Sequence, residues 1–313
     1  DAAGNRTAII DENGHRTEFV YDALNRLVQV TEADPDGIGV LTSPVTRYEY
    51  DTSGNQTAVT NSRGFTTRFA YDSLNRAIQA TDALNGVVQN EYDKAGNLVA
   101  MTDELGHRMQ YRYDSRNRLV ESIDSEGGRT QYLYDVNNNQ IAQIDALGRR
   151  IDFAYDARNR LISKTDPLGG STNYVYDAVG NLIAQTDENG HQTKFTYDDL
   201  NRLIKTTDAL GNVETFRYDK DSNVIAQTDA LDRTTTFTYD NRNRLIAKVD
   251  PLNGRISMTY DGVGNLLTLT DELNRTTTYR YDALNRQISV TDALGQTTSF
   301  SYDSEGNRVA VTD

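Results

Sequence analysis

Aspartate occurs at two turn positions in almost every 21-residue segment of this 313-residue chain, so calcium binding is the first chemistry to consider. Calcium requires about 6–8 convergent oxygen ligands. Here the carboxylates come one or two to a turn, and aspartate in a turn commonly accepts hydrogen bonds from its own backbone. The sequence therefore favours turn capping over a calcium site.

Histidine and serine give no stronger signal for catalysis. His15, His107 and His191 each follow the glycine of a turn and lie four or more repeats apart, which argues against a shared metal site. No Ser-His-Asp pattern or carboxylate pair stands out from the repeat. We therefore predict no catalytic, cofactor-binding or metal-binding residues, and no cofactor.

The dipeptide Tyr-Asp recurs with a fixed spacing of 21 residues. Tyr21 belongs to the same series, displaced by 8 extra residues, and the irregular stretch 32–44 accounts for that displacement as an insertion in one hairpin loop. A constant period indicates one supersecondary unit stacked many times. We expect a single repeat domain, residues 1–313, with about fifteen hairpins, cut from a longer chain. The tyrosines of the regular series are Tyr50, Tyr71, Tyr92, Tyr113, Tyr134, Tyr155, Tyr176, Tyr197, Tyr218, Tyr239, Tyr260, Tyr281 and Tyr302.

Each unit predicts two β-strands joined by tight turns. The unit YDAVGNLIAQTDENGHQTKFT has two short alternating runs separated by turn residues. The first run is LIAQT. The second is HQTKFTY, whose last residue, Tyr197, begins the next unit. The last position of the T-D-x-x-G turn is always Gly, Asn or Asp, the residues that tolerate positive φ. The Y-D-x-x-[GN] turn follows the same rule except at Ser222. No segment has a helical apolar period.

Aromatic residues mark one face of the predicted sheet. Phe or Tyr lies two residues before most Tyr-Asp tyrosines, and residues two apart share a face of a strand. About 30 strands are too many for a flat open sheet. The fold class is therefore all-β, with repeated antiparallel β-hairpins forming one long coiled β-strip, either a shell or a superhelical tube. The residues chosen as the structural repeat site are Tyr50, Asp51, Tyr71, Asp72, Tyr92, Asp93, Tyr113, Asp114, Tyr176, Asp177, Tyr197, Asp198, Gly106, Gly190 and Gly211.

The Tyr-Asp turns alternate between N-R and G-N, so the duplicated block has 42 residues. Arg118 and Arg160 represent one class of turn, and Asn139 and Asn181 the other. One explanation is simple amplification of a two-hairpin block. The other is that each Arg bridges the Tyr-Asp carboxylates of neighbouring units, since Arg suits bidentate pairing with Asp.

Composition restricts the partners. The formal charge is −14, which argues against nucleic acid and anionic membranes. No apolar run approaches the length of a membrane span, and no cysteine is present. Partners left open are a cargo domain in the same longer chain, adjacent shell segments, self-association through open sheet edges, and a glycan stacked on exposed tyrosines.

The repeat resembles the Rhs/YD-repeat family. Its pattern, close to YDxxGNLxxxTDxxGxxTxYxY, is matched by the units that begin at Tyr92, Tyr176 and Tyr197. The resemblance implies a β-strip that spirals into a hollow shell, as in bacterial Rhs toxins, Tc toxin BC components and teneurins. It also implies a secreted or cell-surface bacterial container for a toxin domain.

One element of that family has no counterpart here. The D-P-x-G core motif of Rhs shells makes an aspartyl self-cleavage site. The nearest strings begin at Asp166 and Asp250, and both occupy the repeat's own turn, so we carry no catalytic residue over.

The favoured function is a non-enzymatic wall segment of a shell that encloses or presents a toxin or effector domain. The alternatives are the wall of an open extracellular tube or fibre, and a carbohydrate- or receptor-binding adhesion surface.

Overall fold

The structure is a computed structural model that describes residues 1–35 and 42–313. In those ranges the regular elements are 29 antiparallel β-strands of one sheet, with no helix. The predicted all-β strip of hairpins is confirmed. Predicted strands also have nearly the observed bounds, since LIAQT coincides with the strand Leu182–Thr186. The centre of the predicted insertion, residues 36–41, lies outside the described residues.

After the three-residue β1, strands of six and five residues alternate along the chain. The first eight are β1 Ala8–Ile10, β2 Arg16–Tyr21, β3 Leu27–Thr31, β4 Val45–Tyr50, β5 Gln56–Thr60, β6 Thr66–Tyr71, β7 Ala77–Thr81 and β8 Val87–Tyr92. The next fourteen are β9 Leu98–Thr102, β10 Arg108–Tyr113, β11 Leu119–Ile123, β12 Arg129–Tyr134, β13 Gln140–Ile144, β14 Arg150–Tyr155, β15 Leu161–Thr165, β16 Ser171–Tyr176, β17 Leu182–Thr186, β18 Gln192–Tyr197, β19 Leu203–Thr207, β20 Val213–Tyr218, β21 Val224–Thr228 and β22 Thr234–Tyr239. The last seven are β23 Leu245–Val249, β24 Arg255–Tyr260, β25 Leu266–Thr270, β26 Thr276–Tyr281, β27 Gln287–Thr291, β28 Thr297–Tyr302 and β29 Arg308–Thr312.

Two compact units divide the chain. Unit 1 comprises Asp1–Gln89, Leu245–Lys248 and Asn253–Asp313, so it joins the first hairpins to the last. Unit 2 comprises Asn90–Arg244 and Val249–Leu252. Both are built from the same hairpin.

The two ladders of a hairpin unit differ in regularity. Between β11 and β12 the register is unbroken, with Glu121 opposite Gln131 and Ile123 opposite Arg129. Between β12 and β13 the register shifts after Leu133, so that Tyr134 lies opposite Gln140. Such a β-bulge re-aims a side chain and increases local twist. The shift recurs immediately before the Tyr-Asp tyrosine in unit 1 as well, for example at Tyr71.

The sheet is one layer thick. Among the described residues, no large side chain is less than 2% exposed, and the buried apolar set is Ala58, Ala100, Ile123, Ala142, Ala226 and Ala247. Tyr132 and Tyr134 of β12 are half-buried, whereas the alternate residues Arg129, Gln131 and Leu133 are exposed. Ala142 lies opposite Leu133, on the face away from Tyr132. Burial therefore comes from cross-strand neighbours within the sheet.

Both predicted turn types are confirmed. Every described residue at the last position of either turn has positive φ, including the exceptional Ser222 at 69°. In a representative turn, the Asn117 N–H donates to the Asp114 carbonyl at 3.0 Å, and the Asp114 N–H donates to the Arg118 carbonyl at 3.0 Å. This is a four-residue turn whose last residue is left-handed, and it closes the hairpin.

Candidate functional site: the ladder of Tyr-Asp turns

Each hairpin unit has a Tyr-Asp turn at one end of its strands and a Thr-Asp turn at the other. In unit 2 we call the row of turns beginning at Asp93, Asp114, Asp135, Asp156, Asp177, Asp198, Asp219 and Asp240 the Tyr-Asp edge. The opposite row, beginning at Asp103, Asp124, Asp145, Asp166, Asp187, Asp208, Asp229 and Asp250, is the Thr-Asp edge. The Tyr-Asp edge has the denser hydrogen bonding.

The aspartate of a Tyr-Asp turn organises the turn around both of its carboxylate oxygens. Asp114 Oδ1 accepts from the N–H groups of Arg116 at 2.8 Å and Arg118 at 3.1 Å. Its Oδ2 accepts from Arg118 Nε at 2.8 Å. The predicted capping role of these aspartates is therefore confirmed, and their oxygens are occupied by the turn itself.

The tyrosine of the pair anchors the turn to the strand before it. Tyr134 Oη donates to the Leu119 carbonyl at 2.9 Å, 15 residues earlier. The Arg118 guanidinium carbon lies 4.7 Å from the centroid of the same ring, within cation–π range. The same pairing of Arg and ring recurs at Arg160 with Tyr176 and at Arg202 with Tyr218. The hydroxyl bond recurs at Tyr71, Tyr155, Tyr197, Tyr218, Tyr239, Tyr260 and Tyr302.

The 42-residue alternation corresponds to two ways of linking neighbouring turns. Arg118 Nη1 donates to the Asp135 carbonyl of the next turn at 3.0 Å. In that turn, Asn139 Nδ2 donates both to Asp135 Oδ2 and to Asn159 Oδ1 of the turn after it, each at 2.8 Å. Arg and Asn turns thus link in sequence along the edge.

The prediction that each arginine bridges the carboxylates of two neighbouring turns is wrong. Arg118 pairs with the carboxylate of its own turn, but it reaches the next turn through the Asp135 carbonyl and Asn138 Oδ1, not through a second carboxylate. The reason is that each neighbouring carboxylate is already occupied by its own turn. The acceptors left within reach are a main-chain carbonyl and a side-chain amide oxygen.

Hydrogen bonding shifts the acidity of these groups. The Arg118 side chain, and then its N–H, hold the pKa of Asp114 below its ordinary value. The Asn97 side chain does the same for the pKa of Asp93. Burial raises the pKa of Tyr134 above its ordinary value, and the Arg118 charge partly opposes that. The turn therefore favours charged aspartate and neutral tyrosine.

Family comparison identifies this repeat. The model of the teneurin YD-shell matches residues 84–255, and the model of the RHS repeat matches residues 1–37, 50–87, 260–296 and 281–313. The first match covers more than half of the chain. The chain belongs to the teneurin YD-shell family.

A solved structure shows the same fold. The YD-shell chain is similar to a chain of the Photorhabdus luminescens Tc holotoxin pore carrying a TccC3 mutation, with a TM-score of 0.59 and 16% identity over 95% of this chain and 21% of that one. A TcdB2-TccC3 crystal structure also matches, with a TM-score of 0.47 and 16% identity over 96% of this chain and 22% of that one. The chain thus spans about a fifth of the length of these toxin chains. No curated protein matches it.

The structure separates the residues chosen from the YD-shell sequence into two groups. The pairs from Tyr50-Asp51 to Tyr197-Asp198 all lie at the ends of strands that enter Tyr-Asp turns. Gly106, Gly190 and Gly211 lie at the opposite strand ends, in Thr-Asp turns, with φ of 82°, 83° and 84°. The tyrosines and aspartates form the ladder, and these glycines do not contribute to it.

The histidines of the YD-shell chain lie in Thr-Asp turns, each beside the aspartate of its own turn. Nδ1 of His107 lies 2.9 Å from Asp103 Oδ2, and Nδ1 of His191 lies 3.1 Å from Asp187 Oδ2. They occupy the position that Arg149 takes beside Asp145. Within residues 1–35 and 42–313, no group of three metal-ligating side chains comes together.

The two Asp-Pro strings are also ordinary turns, as predicted. The Gly169 N–H donates to the Asp166 carbonyl at 3.1 Å, and the Leu252 N–H donates to Asp250 Oδ1 at 2.8 Å.

In the part of the chain that the structure describes, no helix is long and apolar enough to cross a membrane.

One buried carboxylate lies on a face of the sheet in unit 2. Glu121 is 7% exposed and lies between Arg112, 2.9 Å from its Oε2, and Arg129, 3.3 Å from its Oε1. Glu121 and Arg112 line an open depression of about 560 Å³ that Arg150 also borders. Two guanidinium groups offset the cost of burying one carboxylate, so the cluster fits a structural role.

Sequence reasoning missed the leucines of the Thr-Asp turns. The residue before the left-handed position is leucine in most of these turns, and it is exposed throughout unit 2. The signal is the string D-x-L followed by Gly, Asn or Asp, which recurs at multiples of 21 residues.

Proposed function

We propose that the chain is a non-enzymatic wall segment of a hollow β-shell that encloses or presents a toxin or effector domain. The single observation that carries this proposal is a one-layer sheet of 29 short strands in a chain of the YD-shell family. A wall needs area with little thickness, and hairpins repeated at a fixed period provide it.

Side-chain chemistry supports a mechanical role. The acidic oxygens and hydroxyls with defined partners are directed into turns and onto main-chain carbonyls, as at Asp114 and Tyr134. In this proposal residues 1–313 act as one repeat domain, its partners are adjacent shell segments and a cargo domain, and it operates outside a bacterial cell. The likeness to a chain of the Tc holotoxin pore supports that setting at the level of fold.

A protection assay tests enclosure. A protease-sensitive reporter domain is joined after Asp313 in the 313-residue protein, and its digestion is compared with that of the same reporter free in solution. We expect slower digestion of the joined reporter and hollow particles in negative-stain micrographs. Digestion at the free rate, with filaments in the micrographs, would favour the open tube instead.

A further inference from the structure

A row of leucines projects from the Thr-Asp edge of unit 2. Its members are between 71% and 96% exposed and follow one another at multiples of 21 residues. They are Leu105, Leu147, Leu168, Leu210, Leu231 and Leu252. Successive turns on this edge are two strands apart, or about 10 Å. Scattered exposed leucines are ordinary, but a regular row of them on one edge marks an interaction surface.

Unit 1 shows what a covered Thr-Asp turn contacts. Ser62 Oγ donates to the Ser304 carbonyl at 2.9 Å and lies 2.6 Å from Glu305 Oε1. The Arg63 N–H donates to Glu305 Oε1 at 2.8 Å, and Arg63 Nη1 lies 3.2 Å from Asp303 Oδ2. Residues 61–64 form a turn of the Thr-Asp type, and residues 303–306 form a Tyr-Asp turn. In unit 1, therefore, a turn of the Thr-Asp type already packs against a Tyr-Asp turn.

A second contact in unit 1 repeats this arrangement. Asn13 Nδ2 donates to Asp261 Oδ2 at 3.2 Å, again from a turn of the Thr-Asp type to a Tyr-Asp turn. Asn13 and Arg63 occupy the turn position that leucine occupies in unit 2. A Tyr-Asp edge seated in the same way on unit 2 would cover the leucines.

The Tyr-Asp edge of unit 2 carries a matching surface. Val136, Val179 and Leu200 project from its turns and are 81%, 74% and 67% exposed. Cationic side chains share that edge and are exposed: Lys94, Arg116, Arg158 and Arg242. The tips of the Thr-Asp edge instead carry exposed Glu104, Glu126 and Glu188. The two edges are thus complementary in both apolar and charged groups.

We propose that the leucine row of unit 2 docks onto the Tyr-Asp edge of unit 2 in a second copy of this chain. The two surfaces are different, so the contact is head to tail and leaves one free edge at each end. Such a contact can add further copies in a stack. The proposal does not depend on any cargo, so its failure would leave the enclosing function untouched.

Two variants test the proposal in the full 313-residue chain. The Thr-Asp variant combines Leu147→Ser, Leu168→Ser, Leu210→Ser and Leu231→Ser. The Tyr-Asp variant combines Val136→Ser, Val179→Ser and Leu200→Ser. The matched control, Leu133→Ser with Val175→Ser, removes exposed apolar groups from the sheet face. Circular dichroism and thermal unfolding verify that each protein folds.

Sedimentation velocity over a wide concentration range is the readout. The parent chain and the control are expected to associate, and each edge variant alone is expected to remain monomeric. An equimolar mixture of the two variants is expected to give pairs and nothing larger, because each contributes one intact edge. The proposal is overturned if the parent is monomeric throughout, if either edge variant associates like the parent, or if the mixture stays monomeric.

Discussion

At the Tyr-Asp edge of unit 2, Arg118 pairs with Asp114 and its side chain is 21% exposed. At the Thr-Asp edge, Arg149 pairs with Asp145 through the same four-residue spacing and its side chain is 63% exposed. Both aspartates accept the N–H of their arginine, at 3.1 Å and 2.9 Å. The turns match, but only Arg118 also has a tyrosine ring beneath it and a carbonyl of the next turn within reach.

This difference shows how one turn can serve two purposes. Where a tyrosine precedes the aspartate, its ring can lie against the arginine of the preceding Tyr-Asp turn, as Tyr134 does with Arg118, so that successive turns become linked. Where Thr, Ile or Val precedes the aspartate in unit 2, the leucine found at the tip of most of these turns is exposed. We therefore expect perturbations to act unequally on the two edges.

Acid should have the largest effect, because it acts on many turns at once. Hydrogen bonds from Arg118 and Asn97 lower the pKa of Asp114 and Asp93 in the folded chain. Unfolded aspartate has a pKa of about 3.9. The charged carboxylates therefore stabilise the fold above that pH, and this contribution is lost as the pH falls through the lower folded-state values.

We expect the denaturant midpoint, followed by circular dichroism, to fall steeply once the pH drops below the ordinary aspartate range. A midpoint that stays constant through that range would contradict the capping role. Asp114→Asn should reduce the acid sensitivity contributed by its own turn.

Removing one ladder tyrosine should have the next largest effect. Tyr134→Ala removes a half-buried ring and its bond to the Leu119 carbonyl, and should lower the free energy of unfolding by about 2–4 kcal/mol. Tyr134→Phe keeps the ring and should cost about 1 kcal/mol. Urea unfolding measures both, and equal losses would show that the ring adds nothing beyond the hydroxyl.

The paired arginines offer a direct comparison of the edges. Arg118→Ala removes the link to Asp135 and the ring contact, and should cost about 1–2 kcal/mol. Arg149→Ala removes only an exposed pair, and should cost less than about 0.5 kcal/mol. Urea midpoints of the two variants test this difference, and the idea fails if Arg149→Ala costs as much as Arg118→Ala.

Ser222 should give the smallest effect and one of opposite sign. It holds φ at 69°, a conformation that costs serine more than glycine or asparagine. Ser222→Gly should raise the free energy of unfolding by about 0.5–1 kcal/mol. Ser222→Asn provides the control, since asparagine also accepts this conformation and keeps a side-chain acceptor for Arg202, which donates to Ser222 Oγ at 3.4 Å. A lower thermal midpoint in both variants would show that the serine is favoured here.

The local structure could be predicted from the sequence because turn chemistry and strand alternation act over a few residues. The left-handed positions follow from the Gly, Asn and Asp that occupy them, and even Ser222 keeps the geometry of its repeat. The bond from Tyr134 to Leu119 could not be predicted, because it depends on a bulge that the residue pattern does not mark.

Contacts between distant hairpins could not be predicted from the sequence either. Ser62 and Glu305 are 243 residues apart, and the local chemistry of a turn does not specify which distant turn it will contact. The partner of Arg118 was predicted only in part, since the choice between a carboxylate and a carbonyl depends on which acceptors the folded edge leaves open.

Amide hydrogen exchange tests most directly whether the Tyr-Asp edge is the linked one. The Asp114 N–H donates to the Arg118 carbonyl at 3.0 Å, and the Asp145 N–H donates to the Arg149 carbonyl at the same distance. Equal bonds in different surroundings should exchange at different rates if the ladder restrains its turns. We predict that the Asp114 N–H exchanges more slowly than the Asp145 N–H. Equal rates, or slower exchange at Asp145, would contradict the claim that the Tyr-Asp edge is the linked one.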